Sequence, residues 1–240
     1  GEYKMMGLAP YGDPEGERTA KYVKLITETL VTIYDDGSIW LDQQYFNYAT
    51  GLRMAKDDKW EKVFGLKKRD PKDEMLSEHC DMALAIQQVT EDIFLKMAAT
   101  AKEKTGCKNI CLAGGVALNS VANGKLIDSE LFDEVYIQPA AGDAGGAVGA
   151  ALAAYHIFAE KERTTIRPDA MSGALLGSGY SDQEIESALN SKGIAFSKAK
   201  TEDELAGRVS NLIVEANVIG WFQGRMEFGP RALGCRSIIA

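Results

Sequence analysis

A short apolar run that breaks at glycines and resumes as a helix occurs twice in succession, and this constrains the fold more than any other feature. Asn109-Ile-Cys-Leu-Ala breaks at Gly114-Gly115 and resumes as a helix over 118–126. Glu134-Val-Tyr-Ile-Gln enters the turn Pro139-Ala-Ala-Gly-Asp143, then a small-residue helix over 145–158. Strand, glycine turn and helix in repeat predict an α/β domain. Both turns then fall at the C-terminal ends of strands, the edge of an α/β sheet where ligands gather.

The flanking segments read more simply. Residues 1–18 are rich in Gly and Pro and predict a loop. The runs 31–34 and 39–41 flank Asp35-Asp36-Gly37-Ser38, a hairpin signal. Residues 51–73 are charged, carry Pro71 and suit a loop-rich connector. From Glu74 to about Lys104, Met75, Met82, Ile86, Val89, Ile93, Phe94 and Met97 recur at helical spacing, and Gly106 supplies a stop. That stripe reads as core packing. The pattern lapses between Thr164 and Ser181, so domains are expected over 1–165 and 170–240. Beyond the lapse come a helix over 182–189 capped by Ser181, a helix over 202–215, and a strand over 218–222.

Charge and cysteine content narrow the function classes. A net charge of −8 gives no electrostatic reason to bind nucleic acid or an anionic membrane. Four cysteines without a CxxC pair and only two histidines, His79 and His156, argue against a self-contained zinc site. No charged-then-apolar leader opens the chain, and a cytoplasmic location with reduced thiols is the expectation. The chain begins inside a motif without Met and stops on the apolar Ser237-Ile-Ile-Ala240, so missing flanking segments of the same polypeptide are expected on both sides.

Three segments carry chemistry. In Gly114-Gly-Val-Ala-Leu-Asn119, glycines between strand and helix let backbone N–H groups approach a polyanion, and Asn119 either bonds a ribose or phosphate oxygen or caps the helix. Asp143, between Gly142 and Gly145 at a strand end, is either a metal or nucleotide contact or a helix N-cap. Residues 224–236 place three arginines and three glycines in thirteen positions. Arginine forks bind carboxylate or phosphate oxygens in pairs, which points to a small anionic substrate.

Together with Gly1-Glu-Tyr-Lys-Met-Met-Gly-Leu-Ala-Pro-Tyr-Gly12, these stretches make the chain resemble the O-carbamoyltransferases that modify nodulation factors and antibiotics, relatives of the tRNA threonylcarbamoyl transferases. The resemblance implies part of an actin/Hsp70/sugar-kinase-like nucleotide-binding α/β domain, followed by the start of a threonylcarbamoyl-adenylate-synthase-like α/β domain. It implies a donor, carbamoyl phosphate, activated with ATP as carbamoyl-adenylate, a hydroxyl acceptor, and a divalent metal, iron or magnesium. Carried over by position, Asp143 is the metal ligand. Glu2, Lys4, Gly12, Gly114, Gly115, Asn119, Gly142 and Gly145 are nucleotide-binding, and Arg225, Arg231 and Arg236 bind carbamoyl phosphate or the adenylate. Asp143 and Arg231 are the catalytic pair.

The family's paired metal histidines have no counterpart here, so the isolated chain is expected to be inactive. Two rival readings remain: a small-molecule kinase of the same fold class, and a non-catalytic nucleotide-binding module.

Overall fold

The computed structural model describes residues 2–167 and 169–240 and shows a mixed α/β chain with small sheets. It divides into two compact units, residues 1–112 with 119–136, and residues 113–118 with 137–240. The expected boundary between 165 and 170 thus falls inside the second unit.

The first unit opens with helix α1 (Glu2–Leu8) and a 3-10 turn (Ala9–Tyr11) where a loop was expected. The Gly and Pro content misleads here because Gly7 sits within the helix and Pro10 occupies the first turn of the 3-10 segment, a position that needs no N–H. Helix α2 (Glu17–Leu25) continues as a π turn (Ile26–Leu30) into strand β1 (Val31–Ile33), which pairs antiparallel with β2 (Ile39–Leu41) across the expected hairpin. Asp36 Oδ1 accepts from Ser38 N–H and Oγ at the turn.

The charged connector contains a helix, α3 (Asp57–Phe64), that was not expected. Its apolar face is short, Trp60, Val63 and Phe64, but Trp60 donates its indole N–H to Tyr45 O at 3.0 Å and packs on Phe64. The predicted long helix is α4 (Ser77–Thr105), ending at Gly106 in the left-handed region. The expected stripe packs into the core at Met82, Ile86, Val89, Ile93 and Phe94, but it does not exhaust the helix's buried positions. They include Ala83, Ala85, Val89 and Ala98, together with the polar Asp81, Gln87 and Glu91, whereas Met75 precedes the helix and Met97 is exposed.

One core cluster gathers Tyr22, Ile26, Leu30, Val31 and Phe64 against Ala85 and Val89 of α4. A second joins Ala98 to Leu126 and Phe132. Fully burying a leucine such as Leu126 contributes about 1.5–3 kcal/mol. Strand β3 (Asn109–Leu112), helix α5 (Ser120–Asp128) and strand β4 (Glu134–Ile137) complete the first predicted repeat, with β3 and β4 hydrogen-bonded in one sheet.

The second unit contains helix α6 (Asp143–Ala153), extended by a π turn (Ala154–Phe158), α7 (Asp182–Ser191) and α8 (Glu202–Val214). Ser181 caps α7 as expected, and Glu184 closes a reciprocal capping box with it. Strand β5 (Ile219–Phe222) pairs antiparallel with β6 (Arg236–Ile239), a strand the sequence reading left unassigned. Among the described residues no helix is long and apolar enough to cross a membrane.

Candidate functional site

Three of the predicted segments meet within the second unit. Gly114 donates its N–H to Ala141 O at 2.7 Å, tying the first glycine turn to the second. A Cβ at Gly142 would lie 3.7 Å from Leu118 Cδ1, and one at Gly229 would lie 2.7 Å from Pro139 O. The arginine loop therefore seats its middle glycine directly on the Pro139–Ala140 backbone. Ala117, Ala140 and Ala141 are buried at this junction.

The glycines do different work. Gly114 has φ +104°, a conformation L side chains rarely adopt, while a Cβ at Gly115 would meet no atom within 4 Å. Packing of the protein on itself therefore does not require glycine at 115, and the backbone there stays open to approach. Gly145 is the opposite case, since its Cβ would lie 2.1 Å from Ala140 O. Gly12, in the first unit, is likewise a close-packing glycine, with Cys80 O and Leu84 Cβ both 2.7 Å from a Cβ placed on it. Lys4 is exposed on α1, and the Glu2 side chain lies outside the described residues.

Asp143 is exposed at the first position of α6, and Gly142 occupies the N-cap with no side-chain cap bond. The capping explanation for this aspartate therefore does not apply. Among the described residues no group of three or more His, Cys, Asp or Glu could hold a metal ion. The donors present do not fit a metal centre by themselves.

Within the arginine loop the three guanidinium groups are unequal. Arg225 is exposed and donates Nε to Gly177 O at 3.1 Å. Arg236 Nη2 donates to Gly229 O and, at 3.4 Å, to Arg231 O, so this side chain closes the loop on itself. Arg231 is half-buried.

Sequence reasoning missed the residue that organises this loop. Glu227 is 4% exposed, and its Oε1 accepts the N–H groups of Leu233 at 2.8 Å and Cys235 at 2.9 Å. Its Oε2 makes no hydrogen bond and faces Arg236 Nε at 3.5 Å. A glutamate between glycines reads as a solvated loop residue, and only the flanking arginines hint that an anion is held there.

Asn119 caps α5 in the first unit, accepting from Ala122 N–H at 3.2 Å. Its amide also meets Gln87 of α4, and Gln87 in turn meets Glu91. Both α4 residues are buried.

A family model described as carbamoyltransferase N-terminus matches residues 1–152, and one described as carbamoyltransferase C-terminus matches residues 210–240. An uncharacterized protein of Synechocystis sp. is 48% identical over the whole chain. Nodulation protein NolNO of Sinorhizobium fredii and nodulation protein NolO of Bradyrhizobium diazoefficiens are each 36% identical, again over the whole chain. The chain spans 38%, 32% and 40% of these three proteins respectively.

Proposed function

The chain belongs to the carbamoyltransferase family, and from that premise we propose that it is part of an ATP-dependent O-carbamoyltransferase acting on a hydroxyl of a small molecule or saccharide. The match over residues 1–152 carries this reading, because it covers both glycine turns and Asp143. In the proposed scheme carbamoyl phosphate, ATP and one water yield carbamoyl-adenylate, pyrophosphate and phosphate. The acceptor oxygen then attacks the carbamoyl carbon, the bond from that carbon to the AMP oxygen breaks, and the acceptor hydroxyl loses its proton.

The residues suit these demands. A mixed anhydride must be held away from water while charge growing on the leaving AMP is stabilised. The open backbone at Gly114-Gly115 and the Asn119 amide are assigned to the nucleotide, with Lys4 as a further contact. Arg231 is assigned to the donor anion by its place in the arginine segment, whereas Arg236 is engaged with loop carbonyls. The remaining roles, including completion of a metal site around Asp143 with iron or magnesium, are assigned to polypeptide outside these 240 residues, so the isolated chain is proposed to be inactive. The actin-like and adenylate-synthase-like folds implied by the resemblance, and a cytoplasmic location, belong to the same proposal.

The deciding experiment supplies the full-length protein with ATP, carbamoyl phosphate and candidate acceptors and measures nucleotide products. Pyrophosphate released in step with carbamoylated acceptor supports the proposal. ADP release with phosphorylated acceptor would make it a kinase, and ATP binding without turnover of any acceptor would favour a binding module.

A further inference from the structure

We propose that Gln87 and Glu91 are positioning residues that fix the Asn119 amide as a hydrogen-bond donor toward an acceptor oxygen of the nucleotide, an inference that rests on the nucleotide reading of Asn119 given above. The four groups form one chain within the first unit. Lys125 Nζ pairs with Glu91 Oε2, and Glu91 Oε1 accepts from Gln87 Nε2 at 2.7 Å. Gln87 Nε2 also donates to Asn119 Oδ1 at 3.2 Å, and Asn119 Nδ2 donates to Gln87 Oε1 at 2.9 Å.

The direction of this chain is dictated from both ends. A carboxylate only accepts, so Gln87 must turn its NH2 toward Glu91. The Ala122 N–H only donates, so Asn119 must turn Oδ1 toward it. Reversing either amide would set donor against donor or acceptor against acceptor. An asparagine amide carries two N–H bonds and two acceptor lone pairs. Ala122 and Gln87 take both lone pairs, and Gln87 Oε1 takes one N–H. What remains is a single N–H on a residue that is only partly buried.

Capping alone does not call for this relay, because an asparagine caps through Oδ1 whichever way Nδ2 is paired. Burying Gln87 and the Glu91 carboxylate behind it carries a desolvation cost. That cost is matched by a function that needs Asn119 held in one orientation. The ligand chemistry is correspondingly narrow: an oxygen that accepts, from a phosphate or a ribose.

The test is calorimetric titration of the full-length protein with ATP, with melting temperatures recorded alongside, for wild type, Gln87→Met, Glu91→Gln, Asn119→Asp and the Gln87→Met/Asn119→Asp double variant. Gln87→Met and Asn119→Asp should each weaken ATP binding roughly fivefold, the scale of one ligand hydrogen bond. The double variant should bind no worse than Asn119→Asp, because Gln87 acts only through Asn119. Glu91→Gln keeps the shape while removing the carboxylate that holds the Gln87 NH2, and it carries the same expectation should Gln87→Met fail to fold. Inorganic tripolyphosphate and adenosine as separate probes place the oxygen, since the loss follows whichever contains it. Undiminished ATP affinity in folded Gln87→Met and Glu91→Gln, with only the melting temperature lowered, overturns the positioning role. A wild type that does not bind ATP overturns the nucleotide reading itself, and this inference with it.

Discussion

Asp81 and Arg18 meet at 2.6 Å, carboxylate to guanidinium Nε, across 63 positions of chain. Asp81 also accepts from the Asp13 N–H at 2.9 Å, so one buried carboxylate ties the segment after α1 and the start of α2 to α4. Burial raises its pKa, but the Asp13 N–H, the Arg18 hydrogen bond and the Arg18 charge together outweigh that and leave it below the ordinary carboxylate value. A depressed folded-state pKa contributes stability that is present above the unfolded value, about 3.9, and is lost as pH falls through the folded value. Asp81→Asn should therefore lower stability at neutral pH and flatten its decline below about pH 4. Urea denaturation from pH 3 to 7 checks this, and an unchanged pH slope would count against Asp81.

Gly12→Ala should destabilise the protein by about 1–3 kcal/mol, the range of a core overpacking. The added methyl would press on Cys80 O and Leu84 Cβ at 2.7 Å. Chemical denaturation measures the loss. Weakened ATP binding with unaltered stability would instead give Gly12 the nucleotide role.

Removing the Glu227 acceptor should free the arginine loop. Glu227→Ala leaves the Leu233 and Cys235 N–H groups without their partner, at a cost of about 1–3 kcal/mol. Glu227→Gln retains the accepting oxygen and should preserve both amides. Hydrogen exchange over residues 227–236 should accelerate in the alanine variant and stay near wild type in the glutamine variant.

Arg231 and Arg236 should separate by half-reaction. Arg231→Ala in the full-length protein should slow adenylate formation more than use of supplied carbamoyl-adenylate, by about ten- to a hundredfold if one charge-assisted bond to phosphate is lost. Arg236→Ala should damage both half-reactions and lower the melting temperature, because its contacts are loop carbonyls. Equal losses in the two half-reactions for Arg231→Ala would make that residue structural.

Asp143→Asn separates ligand from bystander. With Gly142 at the N-cap, the substitution leaves capping untouched, so the melting temperature should hold. Bound metal and turnover of the full-length protein should both fall, since a neutral amide is a poorer ligand for a hard cation. Unchanged metal content with full activity would remove Asp143 from the site.

Local signals were legible where the chain answers them locally. The hairpin around Gly37, the end of α4 at Gly106 and the cap at Ser181 each depend on one or two neighbouring residues, and the sequence displays them. Helix α1 was hidden because Gly and Pro density outweighed helical periodicity in so short a segment. The signal for α3 was present at Trp60, Val63 and Phe64 but was diluted by surrounding charge. Strand β6 depends on β5, which precedes it by a loop, Gln87 and Glu91 draw their roles from Asn119 and Lys125, 32 and 34 positions away, and Glu227 finds its amides only once the arginine loop has closed.

Helix α4 also sets a length standard. Asp81, Gln87 and Glu91 stand on one continuous helix, and the step from position 81 to position 87 spans about 9 Å along its axis. A single residue inserted there would rotate everything after it by about 100° and advance it by 1.5 Å. Asp81 could then keep its hold on Arg18 only if Gln87 abandoned Asn119, or the reverse. Insertions and deletions in related chains should consequently collect outside 81–91, and a relative of altered length within that span should carry compensating changes at the positions matching Arg18 or Asn119.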